Sequence, residues 1–345
     1  MNVRVTDFGK LPSGKTAKLF CFESNNGIIT SITNYGANIT SIIMPDRNGE
    51  KAEITAGFPD LESYVKGHPH FGVVAGRFAN RIAKGRFWIG NNEYRLALNN
   101  GENHLHGGPE GFHAKLWDYS LDQSENSASL ILKYLSPDME EGYPGNLMTT
   151  VTYTMSDNND IIIRYEATTD KPTHVNLTNH TYFNMGGFAN LIYDHHLKVS
   201  TNLYLELDDT QIPTGKKLSC QNQSIDLQAG AMLLDALEAF KGGIDNCFLL
   251  DELRDKQKPD AILSHPESGR MMSVFTTHPS VQIYTGNSLD GTLAGHNNTV
   301  YEKHSAICLE TQHYPDTPNH PDFPSTLLNP GEKYDYEARF VFETK

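Results

Sequence analysis

Met148-Thr149-Thr150-Val151-Thr152-Tyr153-Thr154-Met155 is followed by Ser156-Asp157-Asn158-Asn159-Asp160 and then by Ile161-Ile162-Ile163-Arg164-Tyr165-Glu166-Ala167. The first run sets Val151, Tyr153 and Met155 against threonines at every second position, the period of a strand with two unlike faces. The third run is rich in β-branched and aromatic residues, which suit a pleated, half-buried surface. Between them the Asp/Asn cluster is a turn signal. Two strands of useful length joined by a short turn predict antiparallel sheet. The same reading extends outward to residues 28–32, 39–44, 85–89 and 130–135, and to a last strand at 333–343. Asp46-Arg47-Asn48-Gly49 and Gly90-Asn91-Asn92-Glu93 are further turns, the second closing a hairpin between Arg86-Phe87-Trp88-Ile89 and Tyr94-Arg95-Leu96.

Helical signals are few. Residues 231–241 carry Leu233, Leu234, Leu237 and Phe240 at helical spacing, and 59–65 suits a short helical turn. Many short strands separated by turns predict an all-β fold, a large β-sandwich or barrel with few short helices. No internal repeat, low-complexity segment or linker interrupts the chain, so residues 1–345 are expected to form one domain.

The 345 residues include 42 acidic and 28 basic side chains, a net charge of −14. That balance argues against nucleic acid and anionic membrane surfaces as partners but leaves a neutral small molecule open. No apolar stretch reaches the roughly 20 residues of a membrane span, and no signal-peptide pattern opens the chain. Cys21, Cys220, Cys247 and Cys308 match neither a zinc spacing nor a redox pair, and are expected to be reduced core thiols of a cytoplasmic protein.

Five segments concentrate chemistry. In Asn176-Leu177-Thr178-Asn179-His180-Thr181-Tyr182-Phe183-Asn184, an extended chain places Asn176, Thr178, His180, Tyr182 and Asn184 on one face, either toward a ligand or in a satisfied structural network. In Ala306-Ile307-Cys308-Leu309-Glu310-Thr311-Gln312, Glu310 shares a face with the small Ala306 and Cys308. Burial there raises its pKa and makes it a candidate acid or base; the alternative is a strand-end carboxylate in solvent. Asn103-His104-Leu105-His106-Gly107-Gly108 offers two imidazoles at a spacing compatible with a metal or with structural hydrogen bonds, and two glycines that allow close backbone approach to a ligand. Gly76-Arg77-Phe78-Ala79-Asn80-Arg81-Ile82 presents guanidinium forks suited to hydroxyls or a carboxylate, or a pair of surface arginines. In Gly242-Gly243-Ile244-Asp245-Asn246, the acid either holds hydroxyls or caps the turn.

Taken together and in this order, the segments resemble the galactose mutarotase (aldose 1-epimerase) family. Asn179-His180-x-Tyr182-Phe183-Asn184 and Leu309-Glu310-Thr311-Gln312, followed by Pro315-Asp316 and Asn319, look like its two catalytic segments. Gly76-Arg77-x-x-Asn80-Arg81-Ile82, Leu105-His106-Gly107-Gly108 and Ile244-Asp245-Asn246 are similar to its substrate-binding segments. The departures are Met185, where Leu or Ile is usual, and Ser288, where an aromatic is common and which puts one wall of the pocket in question.

The resemblance implies a supersandwich fold and interconversion of hexose anomers without metal or other cofactor. It implies Glu310 as general base on the C1 hydroxyl and His180 as general acid on the ring oxygen. His106, Arg77, Asp245 and Asn80 are implied as sugar-binding residues, and whether His106 shares the ring-oxygen contact stays open. On this reading His180 is protonated, its pKa raised by the nearby carboxylate. Trp117, Tyr182 or Tyr284 can stack on the sugar. The expected partner is a small hexose such as galactose or glucose, bound by a monomer or homodimer. The rival readings are a hexose-phosphate 1-epimerase, a non-catalytic sugar-binding module, and a cupin-like metal enzyme built on His104 and His106.

Overall fold

The computed structural model describes residues 1–345. Its largest sheet has nine strands, in the order Asp118–Gln123, Ser127–Ser136, Leu147–Ser156, Asp160–Thr169, Tyr334–Thr344, Arg270–Thr276, Ala261–Ser264, His196–Val199 and Ala231–Met232. The stretch 148–167 forms two central strands of that sheet, paired antiparallel from Leu147 opposite Thr169 to Met155 opposite Ile161. Every second residue between Leu147 and Met155 is buried, as the alternation requires. The last strand, Tyr334–Thr344, bridges this hairpin to Arg270–Thr276 and so closes the centre of the sheet with the end of the chain.

A six-stranded sheet runs Tyr182–Phe183, Ile307–Gln312, Ser280–Tyr284, Asp245–Leu249, Leu203–Leu207 and Pro213–Ser219. A five-stranded sheet, Asn2–Lys10 to Lys51–Glu53, follows chain order as a meander. One apolar cluster joins the three: Val151, Ile163 and Phe340 from the large sheet meet Phe248, Ile283 and Leu309 from the second and Ile32, Ile39 and Ile42 from the third. This is sheet-on-sheet packing, each inner face supplying alternate residues of its strands.

The expected strands are present, most of them longer than their apolar runs: 130–135 is the middle of Ser127–Ser136. The 86–95 hairpin pairs Arg86–Ile89 with Asn92–Arg95, so its second strand starts earlier than Tyr94. The helices are short. Leu61–Lys66 starts on Asp60, whose side chain accepts from the Ser63 amide, and Leu233–Ala239 covers the middle of the expected 231–241. The strand Asn2–Lys10 escaped the sequence reading because it is an edge strand without a buried face. No helix is long and apolar enough to cross a membrane.

Candidate active site

The six-stranded sheet has one face in the core and one face open, and period-2 geometry decides which residues reach each. In Ile307–Gln312, Ile307 and Leu309 enter the main core, while Cys308 packs on the opposite side. Glu310 therefore points away from the core with Cys308. The neighbouring strands repeat the pattern: Val281, Ile283 and Phe248 face inward, leaving Gln282, Tyr284 and Asp245 on the open face. The register sets Gln282 opposite Glu310, Tyr284 opposite both Cys308 and Asp245, and Tyr182 opposite Cys308. Glu310, Tyr182, Tyr284 and Asp245 floor a cavity of about 420 Å³, within the ~300–1,000 Å³ typical of small-molecule sites.

His180 comes from a chain crossing rather than a continuous strand. Thr178–Asn179 pairs with Val74–Ala75, and Tyr182–Phe183 pairs with Cys308 and Ile307. Between these pairings His180 donates its amide to the Val73 carbonyl and accepts the Gly72 amide, both through its backbone. The expected single face of Asn176, Thr178, His180, Tyr182 and Asn184 is thus broken. His180 and Tyr182 line the cavity. Asn176 and Asn184 instead hold backbone groups of neighbouring segments: Asn176 accepts the His313 amide, and Asn184 donates to the Asn190 and Ser305 carbonyls. Changing sheets at this point is what brings the imidazole beside the carboxylate.

Glu310 Oε1 lies 3.6 Å from His180 Nε2, and both side chains are almost fully buried. The second carboxylate oxygen, Oε2, has no hydrogen-bond partner. Burial pushes the Glu310 pKa well above its ordinary value, Asp245 adds to the rise, and Arg81 opposes it. Burial lowers His180 to about 4. The expectation that the carboxylate would raise the histidine is therefore reversed: in a water-poor pocket the desolvation of an imidazolium outweighs a carboxylate that is itself disfavoured as an anion. Both shifts favour the uncharged forms, because burial disfavours a carboxylate and an imidazolium alike. His180 Nδ1, on the far side of the ring, meets Cys308 Sγ at 3.6 Å. Burial, then Glu310 and Asp245, keep that thiol protonated, available as a weak donor or acceptor.

His106, Asp245 and Asn80 line the same cavity. Asn80 and His106 clasp each other: the Asn80 amide donates to His106 Nδ1 at 3.1 Å, and the His106 amide donates to the Asn80 carbonyl. An amide must donate, so Nδ1 accepts, and the neutral ring carries its hydrogen on Nε2. Burial and the neighbouring cationic groups keep His106 neutral. It offers a hydrogen-bond donor. Asp245 accepts from Gln282 at 2.7 Å and stands 3.9 Å from Arg81. Burial raises its pKa, and Arg81 and Gln282 hold it down.

Arg77 is a correction. It is 2% exposed and does not line the cavity. Its guanidinium donates to Ser136 Oγ and to the carbonyls of Ser136, Pro137, Tyr143 and Pro144. Burial lowers its pKa to about 10, leaving it cationic, with every donor turned into a loop behind the site. The guanidinium that does line the cavity is Arg81, fixed by Asn100 at 2.9 Å. Both arginines sit in one short motif, and only the backbone path through Asn80, with its left-handed φ of 65°, decides which one faces the cavity.

Three further expectations change. His104 bonds to the Ala97 carbonyl and to Tyr143 Oη, so it does not converge with His106, whose φ of 50° ends the strand between them. Trp117 is core, whereas Tyr182 and Tyr284 border the cavity. Gly107 serves backbone against backbone: a Cβ there would lie 1.9 Å from the Gly76 carbonyl oxygen. Ser288 hydrogen-bonds Tyr284 Oη at 2.6 Å, and together they make the wall that its substitution put in question. Gln282, Asn100, Asn287 and His70 were assigned no role from the sequence, since strand register and loop convergence leave no local signal.

His106, His180 and Glu310 present ligand atoms within 4.8 Å of one another, a metal-compatible separation. The His106 tautomer argues against such use, because the Asn80 amide holds Nδ1 as acceptor and leaves N–H, not a lone pair, on Nε2.

The family model for aldose 1-epimerase matches residues 18–341. A galactose mutarotase from Sus scrofa is 44% identical over 338 residues, 97% of each chain. A GalM/aldose epimerase homologue from C. elegans superposes with a TM-score of 0.88 at 27% identity, covering 95% of this chain and 99% of the other. A galactose 1-epimerase from Lactobacillus acidophilus NCFM gives a TM-score of 0.85 at 26% identity, covering 99% and 98%.

Proposed function

The chain belongs to the aldose 1-epimerase family, and from that premise we propose that it interconverts the α and β anomers of free hexoses, with Glu310 as general base and His180 as general acid. The carrying observation is the 3.6 Å approach of a buried carboxyl group and a buried imidazole at the floor of a polar, small-molecule-sized cavity. Glu310 takes the proton from the C1 hydroxyl. The C1–O1 bond becomes a carbonyl as the C1–ring oxygen bond breaks, and the ring oxygen takes the proton from His180. Rotation about C1–C2 and the reverse transfers close the ring on the other face. Each transfer is worth about 10²–10⁴-fold.

The active form is carboxylate plus imidazolium. Burial disfavours both charges, so the raised pKa makes Glu310 a stronger base and the lowered pKa makes His180 a stronger acid. Cys308 Sγ can accept from His180 Nδ1–H both when the ring is charged and in the neutral ring left after the transfer, which keeps Nε2 as the nitrogen that exchanges the proton. Asp245, oriented by Gln282, offers an acceptor and Arg81 offers donors to adjacent hydroxyls, while His106 Nε2–H donates from the opposite flank. Asn80 orients His106 and, through its side-chain oxygen, the backbone of Arg81.

A phosphorylated sugar is disfavoured as substrate. Arg77 is turned away and Arg81 already neighbours Asp245, so no free cation cluster faces the cavity. We read residues 1–345 as one catalytic unit, supported by the apolar cluster that joins the three large sheets. We place it in cytoplasmic hexose metabolism, galactose included, as a monomer or homodimer; four free cysteines are consistent with a reducing compartment.

Polarimetry on freshly dissolved α-D-galactose and α-D-glucose tests the reading. Catalytic amounts of protein should speed the decay to equilibrium rotation for at least one of the two, and act more weakly on glucose 6-phosphate. Uncatalysed decay of both free sugars would overturn it.

A further inference from the structure

His70 lines the cavity, yet no residue role described so far needs it. Its ring makes no hydrogen bond to protein, whereas His104, His195 and His278 each bond protein groups through both nitrogens. Its place is firmly held. The backbone takes a left-handed φ of 62°, the Tyr182 hydroxyl donates to the preceding Pro69 carbonyl at 2.8 Å, and the Gly72 amide donates to His180. The turn carrying His70 is thus stapled to the segment carrying His180. Its ring centroid lies 4.7 Å from that of His106 and 5.9 Å from that of His180, in a stacked orientation.

The cavity has two flanks with Glu310 between them. On one flank Asp245 lies opposite Tyr284 in the sheet and accepts from Gln282; on the other the His70 ring lies 4.7 Å from His106 and 4.8 Å from His113, and His106 lies 5.0 Å from His180. Burial and these neighbours keep His70 neutral, with one donor and one acceptor nitrogen. Pyranose connectivity then assigns the flanks. With the C1 hydroxyl at Glu310 and the ring oxygen at His180, the ring runs one way from C1 to C2 and C3, toward Asp245. The other way it passes through the ring oxygen to C5 and its C6 substituent, toward the histidines.

We propose that His70 holds the C6 hydroxymethyl group of the hexose and is the residue by which this enzyme distinguishes a hexose from the pentose that lacks it. The inference rests on the orientation given under the proposed function. A pocket group built to bond a hydroxyl discriminates against the analogue without one.

D-Glucose and D-xylose differ only in that C6 group, so they form the test pair. His70→Asn keeps a residue that tolerates the left-handed backbone but shortens its reach; His70→Ala removes the contact altogether. For His70→Asn we expect kcat/KM on fresh α-D-glucose to fall about three- to tenfold, the size of one net hydrogen bond, mainly through KM. The value on α-D-xylose should stay within about twofold, as that range requires. His70→Ala, wherever it folds, should show the same selectivity. Equal losses on both sugars would make His70 a support for His180 and overturn the assignment, and so would no loss on either. A wild-type protein that accelerates neither of these sugars nor α-D-galactose would instead sink the functional reading beneath it.

Discussion

Glu310 is costly to the fold and useful for that reason. A carboxylate that is 2% exposed, with one oxygen unpartnered, is held as a poor anion until a hydroxyl proton reaches it. Asp245 contributes to that state through its negative charge. Removing the charge by Asp245→Asn should lower the Glu310 pKa, because a like charge disfavours ionisation. The acid limb of the kcat/KM profile, which reports the free-enzyme base, should therefore move to lower pH. In the same variant KM should rise about tenfold, for loss of a charge-assisted bond to a sugar hydroxyl. An acid limb that stays in place, measured across pH 4–8, would separate Asp245 from the base.

At the scale of elements, strand alternation carried most of what could be read in advance. Glu310, Cys308 and Ala306 share a face because side chains alternate, and the apolar partners Ile307 and Leu309 confirm the phase. His180 was findable only as part of a motif, since the chain changes sheets at that residue and its periodicity is lost. The choice between Arg77 and Arg81 was not legible, because a single left-handed residue, Asn80, reverses which guanidinium faces outward. Gln282 was hidden for a different reason: its position opposite Glu310 depends on pairing between distant strands. Arg77 now has an element-scale role, tying the 136–144 loop to the motif. Arg77→Met leaves several buried carbonyls without a donor and should cost about 3 kcal/mol or more of stability. Urea unfolding checks this, while KM for galactose in the folded fraction should stay within about threefold, since only indirect contacts change. A large KM effect without loss of stability would return Arg77 to the sugar.

For the whole molecule, three sheets share one core, and all the proposed chemistry lies on the face of the six-stranded sheet turned away from it. The abundance of short strands made this all-β class readable from the sequence. The assembly order was not, because the central sheet is completed by the C-terminal strand Tyr334–Thr344. The net charge of −14 is spread over a protein whose proposed substrate is neutral. Long-range steering should then contribute little. Between about 20 and 500 mM salt, kcat/KM for galactose should vary less than about twofold, although the Debye length shrinks several-fold. A steep salt dependence in stopped-flow polarimetry would point to a charged substrate instead.

The central claim is that Glu310 moves the proton that opens the ring. Its most direct test is the anomerisation rate of fresh α-D-galactose catalysed by Glu310→Gln, with sugar binding followed by calorimetry on the same sample. The amide keeps the shape and loses the base. kcat should fall at least about 10²-fold, the lower end of one general-base contribution, with galactose affinity preserved within a few-fold. A variant that binds galactose and turns it over at close to the wild-type rate would contradict it.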